Sequence, residues 1–400
     1  MARRASAPGG AVALVAAGVA ALVAAGGFGT PALRPFGVGL LIAGLGALAL
    51  VEVGARGLRV ERTVDRDRVR PGEAADVVVR ATGWPVRAGL AGVLEWRLDP
   101  GAPPRARAES LRPVRVGDAL QQEVRLHRLP RGEHRMPAPR LVVQDPLGLA
   151  RRRRAGGRER TLLGLAEVVE LTVPFWESGP LGQGGTTAGL LRGRTELAGV
   201  RDYEQGDPLS LVHWGQTARR GRLQTKELRG ERGRGADLVV VLDTRPLGEG
   251  AEADERFELM VSAAASLLAA CAARGDAVGL EHVGAGGVVL PPGTAWTAVE
   301  AELARVVPGG GTAIGPAVRA AAARRPAPRV VAAVTALAET GLAVAYRDAA
   351  ARHVGTAVVL VGPARAAADA LRRAGAAVAE VGSRADLTAA LEGWRARAAG

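Results

Sequence analysis

DLVVVLD, residues 237–243, is a five-residue apolar run held between two acids. An apolar run of this length with no polar alternation suits a strand covered on both faces, as in parallel sheets flanked by helices. The chain downstream repeats the theme. Glu255 to Arg274 is a long helical run with Phe257, Met260, Val261, Leu267 and Leu268 as its buried stripe. Strands are expected at Ala277–Val283, Val288–Leu290, Arg329–Thr335, Thr356–Val361 and Ala376–Val381. Helices are expected at Trp296–Val307 and Ile314–Arg325, and at 340–353, 364–374 and 385–398. Ser383 and Asp386 stand at capping-box spacing before the last of these, with Asp in place of Glu. Strand and helix in alternation predict a largely parallel, Rossmann-like α/β domain over residues 236–400, where ligands favour the carboxyl ends of the strands.

Immediately upstream, Thr195 to Glu231 reads TELAGVRDYEQGDPLSLVHWGQTARRGRLQTKELRGE. It concentrates Tyr203 and Trp214 in a chain that is 3% aromatic, and it holds the only lysine, Lys226. Asp207, Arg219, Lys226 and Glu227 suit a charge-assisted network that pins the segment, with Trp214 as its apolar anchor. The glycine-rich stretch Leu181–Thr187 lacks the Lys-Ser or Lys-Thr of a phosphate loop and is read as a linker. Residues 161–235 are therefore linker plus signature.

The amino-terminal third has a different character. Residues 10–27 carry no charge, and a second apolar run covers about 36–53, interrupted only by Glu52. Each approaches the roughly 20 residues that cross a bilayer. Thr30-Pro31-Ala32-Leu33-Arg34-Pro35 between them predicts a helical transmembrane hairpin over residues 1–57. Ala13, Ala17, Ala21 and Ala25, with Gly39, Ala43 and Ala47, form four-residue stripes suited to close helix packing. Arg3 and Arg4 precede the hairpin and Arg56, Arg59 and Arg62 follow it, against Arg34 alone in the loop. The positive-inside rule then puts both ends, and the soluble domains, on the cytoplasmic face of the inner membrane. A cleaved signal peptide is the competing reading of the first run, and the second run weighs against it.

Residues 58–160 alternate short β-like runs with Pro/Gly turns, which predicts a small antiparallel sandwich with Trp84 and Trp96 in its core. Arg151 to Arg154 is read as a solvated turn, and His127 and His134 as structural or exposed and not as metal ligands. Net charge is +13 and mean hydropathy +0.10, but the arginines are scattered without an aromatic-interleaved patch, so no nucleic-acid partner is expected and attraction to anionic lipid is. One cysteine, Cys271, excludes an internal disulfide and a cysteine metal cluster, and its alanine-rich surroundings predict burial.

The signature resembles that of the bacterial family known as domain of unknown function 58. The residues that carry the resemblance are Glu196-Leu197, Arg201-Asp202-Tyr203, Gly206-Asp207, Trp214, Ala218-Arg219 and Lys226-Glu227. Ser210 and His213 stand where an arginine and an aspartate are common in that family, which puts any role of those positions in doubt here. The two spans, Arg131-Gly132, Asp145-Pro146-Leu147-Gly148-Leu149 and the α/β half extend the likeness over almost the whole chain. The resemblance implies a von Willebrand factor A-like carboxy-terminal half, whose metal site takes Asp-x-Ser-x-Ser at the first strand end, a distant threonine and a further aspartate. Here Asp243 is followed by Arg245 and Leu247 at the serine positions, Thr312 lies in a suitable loop, and Thr335-Ala336 stands where the carboxylate belongs. A divalent ion needs several placed oxygens, so a degenerate site without metal or other cofactor is expected at Asp243 and Thr312.

The family likeness further implies partnership with a MoxR-type AAA+ ATPase, often beside a transglutaminase-like membrane protein. The expectation is a membrane-anchored, non-enzymatic adaptor without catalytic residues. Its contacts would run through Glu196, Arg201, Tyr203, Gly206, Asp207, Trp214, Arg219, Lys226 and Glu227. The alternative is a hydrolase or metal-dependent enzyme using Asp207, His213 and Asp243, and it requires one pocket to join all three.

Overall fold

The computed structural model describes residues 9–88, 90–95, 107–110, 114–177, 195–202, 212–230, 238–283, 287–337 and 339–392. They fall into two compact units, residues 1–165 and 166–400.

The first unit opens with helices α1 (Gly9–Gly27) and α2 (Leu33–Arg56), apolar and long enough to cross a membrane. Their contact face shares only Ala25 and Ala47 with the expected four-residue stripes. Ala13 and Ala17 are exposed, whereas Ala11, Gly18 and Ala25 on α1 and Gly37, Gly44, Ala47 and Val51 on α2 are buried. The physical reason is angular. Seven residues make nearly two whole turns, so heptad spacing keeps one line facing the partner, while four-residue steps drift around the helix. A Cβ at Gly18 would meet the Gly37 carbonyl oxygen at 2.9 Å, and one at Gly44 would meet that of Ala11 at 2.8 Å.

Next come β1 (Arg59–Val64), β2 (Arg68–Val69), β3 (Ala74–Thr82), the short helix α3 (Trp84–Arg87), β4 (Ala91–Glu95), β5 (Arg107–Ser110), β6 (Val114–Val116) and β7 (Ala119–His127). They are followed by β8 (Gly132–Met136), β9 (Arg140–Gln144), β10 (Arg151–Ala155) and β11 (Arg160–Gly164). One sheet runs β1-β3-β7-β5 with β6 also on β7, and smaller sheets run β10-β9-β4 and β2-β11-β8. Pairing is antiparallel throughout, except for β2 with β11. Inward residues of the first sheet (Val77, Val79, Val124, Leu126) share a core with Met136, Leu141, Val143 and Leu162, which gives the expected sandwich.

Two readings in this unit change, and one falls outside the described residues. Trp84 is half-buried and lies against the end of α2, where a Cβ on Gly57 would come within 2.4 Å of its indole nitrogen, so it is a seam residue and not a core one. Trp96 lies outside the described residues. Arg151–Arg154 are a strand and not a turn, because each pairs in register with β9 from Gln144 back to Leu141. His134 is buried and its Nε2 lies 2.7 Å from the Pro130 carbonyl oxygen. Arg62, counted among the charges flanking the hairpin, spends its guanidinium on the carbonyls of Met136, Pro137 and Arg158.

The second unit begins earlier than the composition suggests. Phe175 and Trp176, in the stretch read as linker, are buried in the α/β core with ring centroids 5.2 Å apart. Glu392 accepts the Thr172 and Val173 amides, and Ser266 Oγ accepts that of Val169. The signature forms a hairpin of β12 (Thr195–Asp202) and β13 (Gln224–Gly230), with helix α4 (Trp214–Arg220) between them.

Then come β14 (Leu238–Asp243), α5 (Ala251–Ala273), β15 (Val278–Val283), β16 (Val289–Leu290), α6 (Trp296–Arg305), α7 (Ile314–Ala322) and β17 (Val330–Thr335). The domain continues with α8 (Thr340–Ala351), β18 (Gly355–Val361), α9 (Arg365–Arg373), β19 (Ala377–Val381) and α10 (Leu387–Leu391). The sheet order is β16-β15-β14-β17-β18-β19, parallel except for the β16 edge. Every residue of β14, β17 and β18 is buried, as the continuous apolar runs require. Alternate β14 residues face opposite cores: Val240 and Leu242 join α5 and α6, while Val239 and Val241 join α7, α8 and α9. Cys271 is buried on α5 as expected. Ser383 does not cap α10; its hydroxyl donates to Asp386 at 2.8 Å instead.

Candidate functional site at the strand ends

The reversal of strand order at β14 puts its carboxyl end beside that of the parallel β17, with β15 on the other side. Asp243, the last residue of β14, is 1% exposed. A carboxylate at that depth needs a counter-charge and hydrogen bonds. It has both. Arg245 turns back so that its backbone N–H and its Nε donate to Asp243 Oδ1 at 3.1 and 3.0 Å, and its Nη2 donates to Oδ2 at 2.6 Å. From β17, the Thr335 hydroxyl donates to the same Oδ2 at 2.7 Å. Arg245 Nη1 pairs with Glu339, which stands at the amino end of α8. The hydrogen bond with Asp243 leads the effects that hold the Arg245 guanidinium above its ordinary pKa, so this cation persists at every accessible pH.

The guanidinium thus sits between two carboxylates, where a metal ion would need open oxygen lone pairs. Asp243 offers none toward a cation without displacing Arg245, so the residues present do not fit a metal. Thr312 is exposed and is not among the partners of Asp243. Its loop is instead tied to the strand end by Thr244, whose carbonyl accepts the Gly309 N–H at 2.7 Å and whose hydroxyl donates to the Gly309 carbonyl. Sequence reasoning found Asp243 and Arg245 but missed Glu339. The signal was an acid directly before a helix, four residues beyond the expected carboxylate position.

The signature hairpin is a separate assembly within the same unit. Backbone register sets Glu196 opposite Arg229, Arg201 opposite Thr225, Lys226 opposite Val200 and Glu227 opposite Gly199. Tyr203, Gly206, Asp207 and Ser210 lie outside the described residues. Trp214 is not the buried apolar anchor of the segment: it is 65% exposed at the start of α4. Arg219 is exposed as well. The buried centre is Gln224, which the sequence reading passed over. Its carbonyl accepts the His213 N–H at 2.7 Å, its N–H donates to Thr217 Oγ1 at 3.0 Å, and its side-chain amide donates to Asp202. His213 caps α4, its Nδ1 accepting the Gln216 N–H at 3.2 Å. Among the described residues, His213 and Asp243 are therefore engaged with different partners and not with each other.

Residues 199–389 match the sequence model of the family described as "Protein of unknown function DUF58", so the resemblance carried by the signature holds. A 175-residue stretch is 27% identical to the uncharacterized protein YeaD of Bacillus subtilis, covering 42% of this chain and 40% of that one. The chain thus matches less than half the length of that relative. Two structures of proximal thread matrix protein 1 from the mussel byssus align at 16% and 15% identity with TM-scores of 0.31, over 39% and 38% of this chain and 46% and 44% of theirs.

Proposed function

From the premise that this chain is a member of the DUF58 family over residues 199–389, we propose that it is a membrane-anchored, non-enzymatic adaptor that works by binding another protein. We read the α/β domain as von Willebrand A-like, with a guanidinium in the seat of the metal. The observation that carries this reading is the closure of Asp243 by Arg245 and Thr335. It converts a strand-end site of the kind that recruits an ion into a fixed polar cluster. Exposed Trp214 supports the same reading, since a large aromatic left open on a hydrogen-bonded hairpin suits an interface anchor.

The proposed partner is a MoxR-type AAA+ ATPase, with a transglutaminase-like membrane protein as a further neighbour, and the proposed setting is assembly at the cytoplasmic face of the inner membrane. The test is co-purification of the tagged full chain from solubilised membranes, with and without a slowly hydrolysed ATP analogue. The ATPase is expected in the eluate with nucleotide, and Trp214→Ala should reduce its recovery about tenfold, as loss of an interface anchor does. Repeated absence of the ATPase with nucleotide present overturns the assignment.

A further inference from the structure

The four consecutive arginines of β10 lie at a defined height. The Ala11 N–H donates to the Leu149 carbonyl at 2.9 Å, and Leu149 and Ala150 pack with Ala11, Ala47 and Val51. The 145–150 turn is therefore fixed to the first turn of α1 and the last turns of α2. Helix α1 has 19 residues, a length of about 28 Å, which only just matches a hydrocarbon core of about 30 Å. A span of that length places Ala11, in the first turn of α1, at the boundary, so the turn fixed to it sits at headgroup level.

Its shape is set internally. Asp145 Oδ2 accepts the Leu147 N–H at 2.9 Å and Oδ1 accepts that of Ala150 at 2.5 Å. These bonds hold Leu147 out, 74% exposed. Beyond the turn, β10 is the outer strand of its three-stranded sheet. Arg152, Arg153 and Arg154 are exposed, and Arg151 is half-buried. Arg152 reaches Glu52 near the end of α2 at 3.1 Å, which ties the strand to the water–lipid boundary of the helix. Arg151 and Arg154 add two further guanidiniums along the same edge.

We propose that residues 145–154 contact the membrane, with Leu147 entering the acyl boundary and Arg151 and Arg154 engaging the headgroups of anionic phospholipid. This rests on the reading that α1 and α2 span the bilayer. Each basic residue close to an anionic surface strengthens binding about fivefold, and long arginine stems let the charge reach phosphate while the strand stays in place.

The test uses the full chain in vesicles of phosphatidylcholine and phosphatidylglycerol at a ratio of about seven to three, in a Cys271→Ala background. A fluorophore on Leu147→Cys should be quenched by nitroxide lipids several times more than one on Asp67→Cys, an exposed position near the far end of β1. Spin-labelled phosphatidylglycerol should associate in preference to phosphatidylcholine, and the combined substitution R151Q/R154Q should cut that preference at least about threefold. Equal quenching at the two positions, or an unchanged lipid preference, overturns the proposal. Extraction of the chain by alkaline carbonate overturns the spanning reading and this proposal with it, whereas carbonate resistance with equal quenching overturns this proposal alone. Should the double variant misfold, the quenching contrast decides.

Discussion

Arg245 is the residue on which the strand-end site turns. A single side chain converts Asp243 from an open carboxylate into a closed one, and the closure is completed by Thr335 and Glu339 from the neighbouring strand and the helix after it. Arg245→Ser leaves two carboxylates with low exposure, 1% and 16%, without their cation. Removing one partner of such a pair costs about 3 kcal/mol, read as a lower thermal midpoint of the full chain in detergent. The same substitution places a serine hydroxyl two residues after Asp243, so millimolar magnesium should raise the midpoint of the variant and leave that of the wild type unchanged. A magnesium-dependent rise in the wild type would show that Arg245 does not fill the seat. The pairing of Arg245 with Asp243 was legible in the sequence, because an arginine two residues after a strand-end aspartate can turn back to it. Glu339 was not, since only the parallel pairing of β14 with β17 brings it near.

At the scale of elements, the membrane hairpin makes the sharpest demand on side-chain size. Gly44→Leu would drive a side chain into the Ala11 carbonyl and Val15, whereas Gly46 has nothing within 4 Å of a new Cβ. Overpacking of this kind costs about 1–3 kcal/mol. Gly44→Leu should therefore lower the detergent-denaturation midpoint while Gly46→Leu leaves it near that of the wild type, and equal effects would mean that the two helices do not pack through Gly44. Hydropathy alone located both helices, because length and apolarity survive any choice of face; the face itself needed the heptad spacing. Strands β14, β17 and β18 were legible for the same reason, as each is apolar along its whole length. The 166–177 segment was not legible. It is short, has no period, and earns its place in the core through Phe175, Trp176 and the Glu392 clamp on its backbone. Strand β10 was hidden by its own charge, since four arginines read as solvated whatever their backbone does.

For the whole molecule, the question that composition leaves open is the number of crossings. Helix α5 is also long and apolar enough to count as a span, with mean hydropathy 1.4 against 2.1 and 2.2 for α1 and α2. Burial separates it from them: 67% of its apolar window is covered within the fold, against 17% and 22%. Phe257, Met260, Leu267 and Leu268 lie in the core beneath the parallel sheet, and its first turn carries Glu252 and Asp254. Pulling that face into lipid would strip the sheet of its cover and expose strand residues that are wholly buried, so two crossings are expected and not three. Two crossings return the chain to the side on which it started, and the positive-inside rule, applied to the arginines at 3, 4, 56 and 59, predicts the cytoplasm for that side. In a Cys271→Ala background, an impermeant maleimide should label Thr30→Cys, in the hairpin turn, from outside intact cells. The exposed position Arg373→Cys, beyond α5, should react only after permeabilisation. Labelling of both positions in intact cells would require a third crossing. Labelling of Arg373→Cys alone would mean an inverted hairpin, which would carry the proposed adaptor away from any cytoplasmic ATPase.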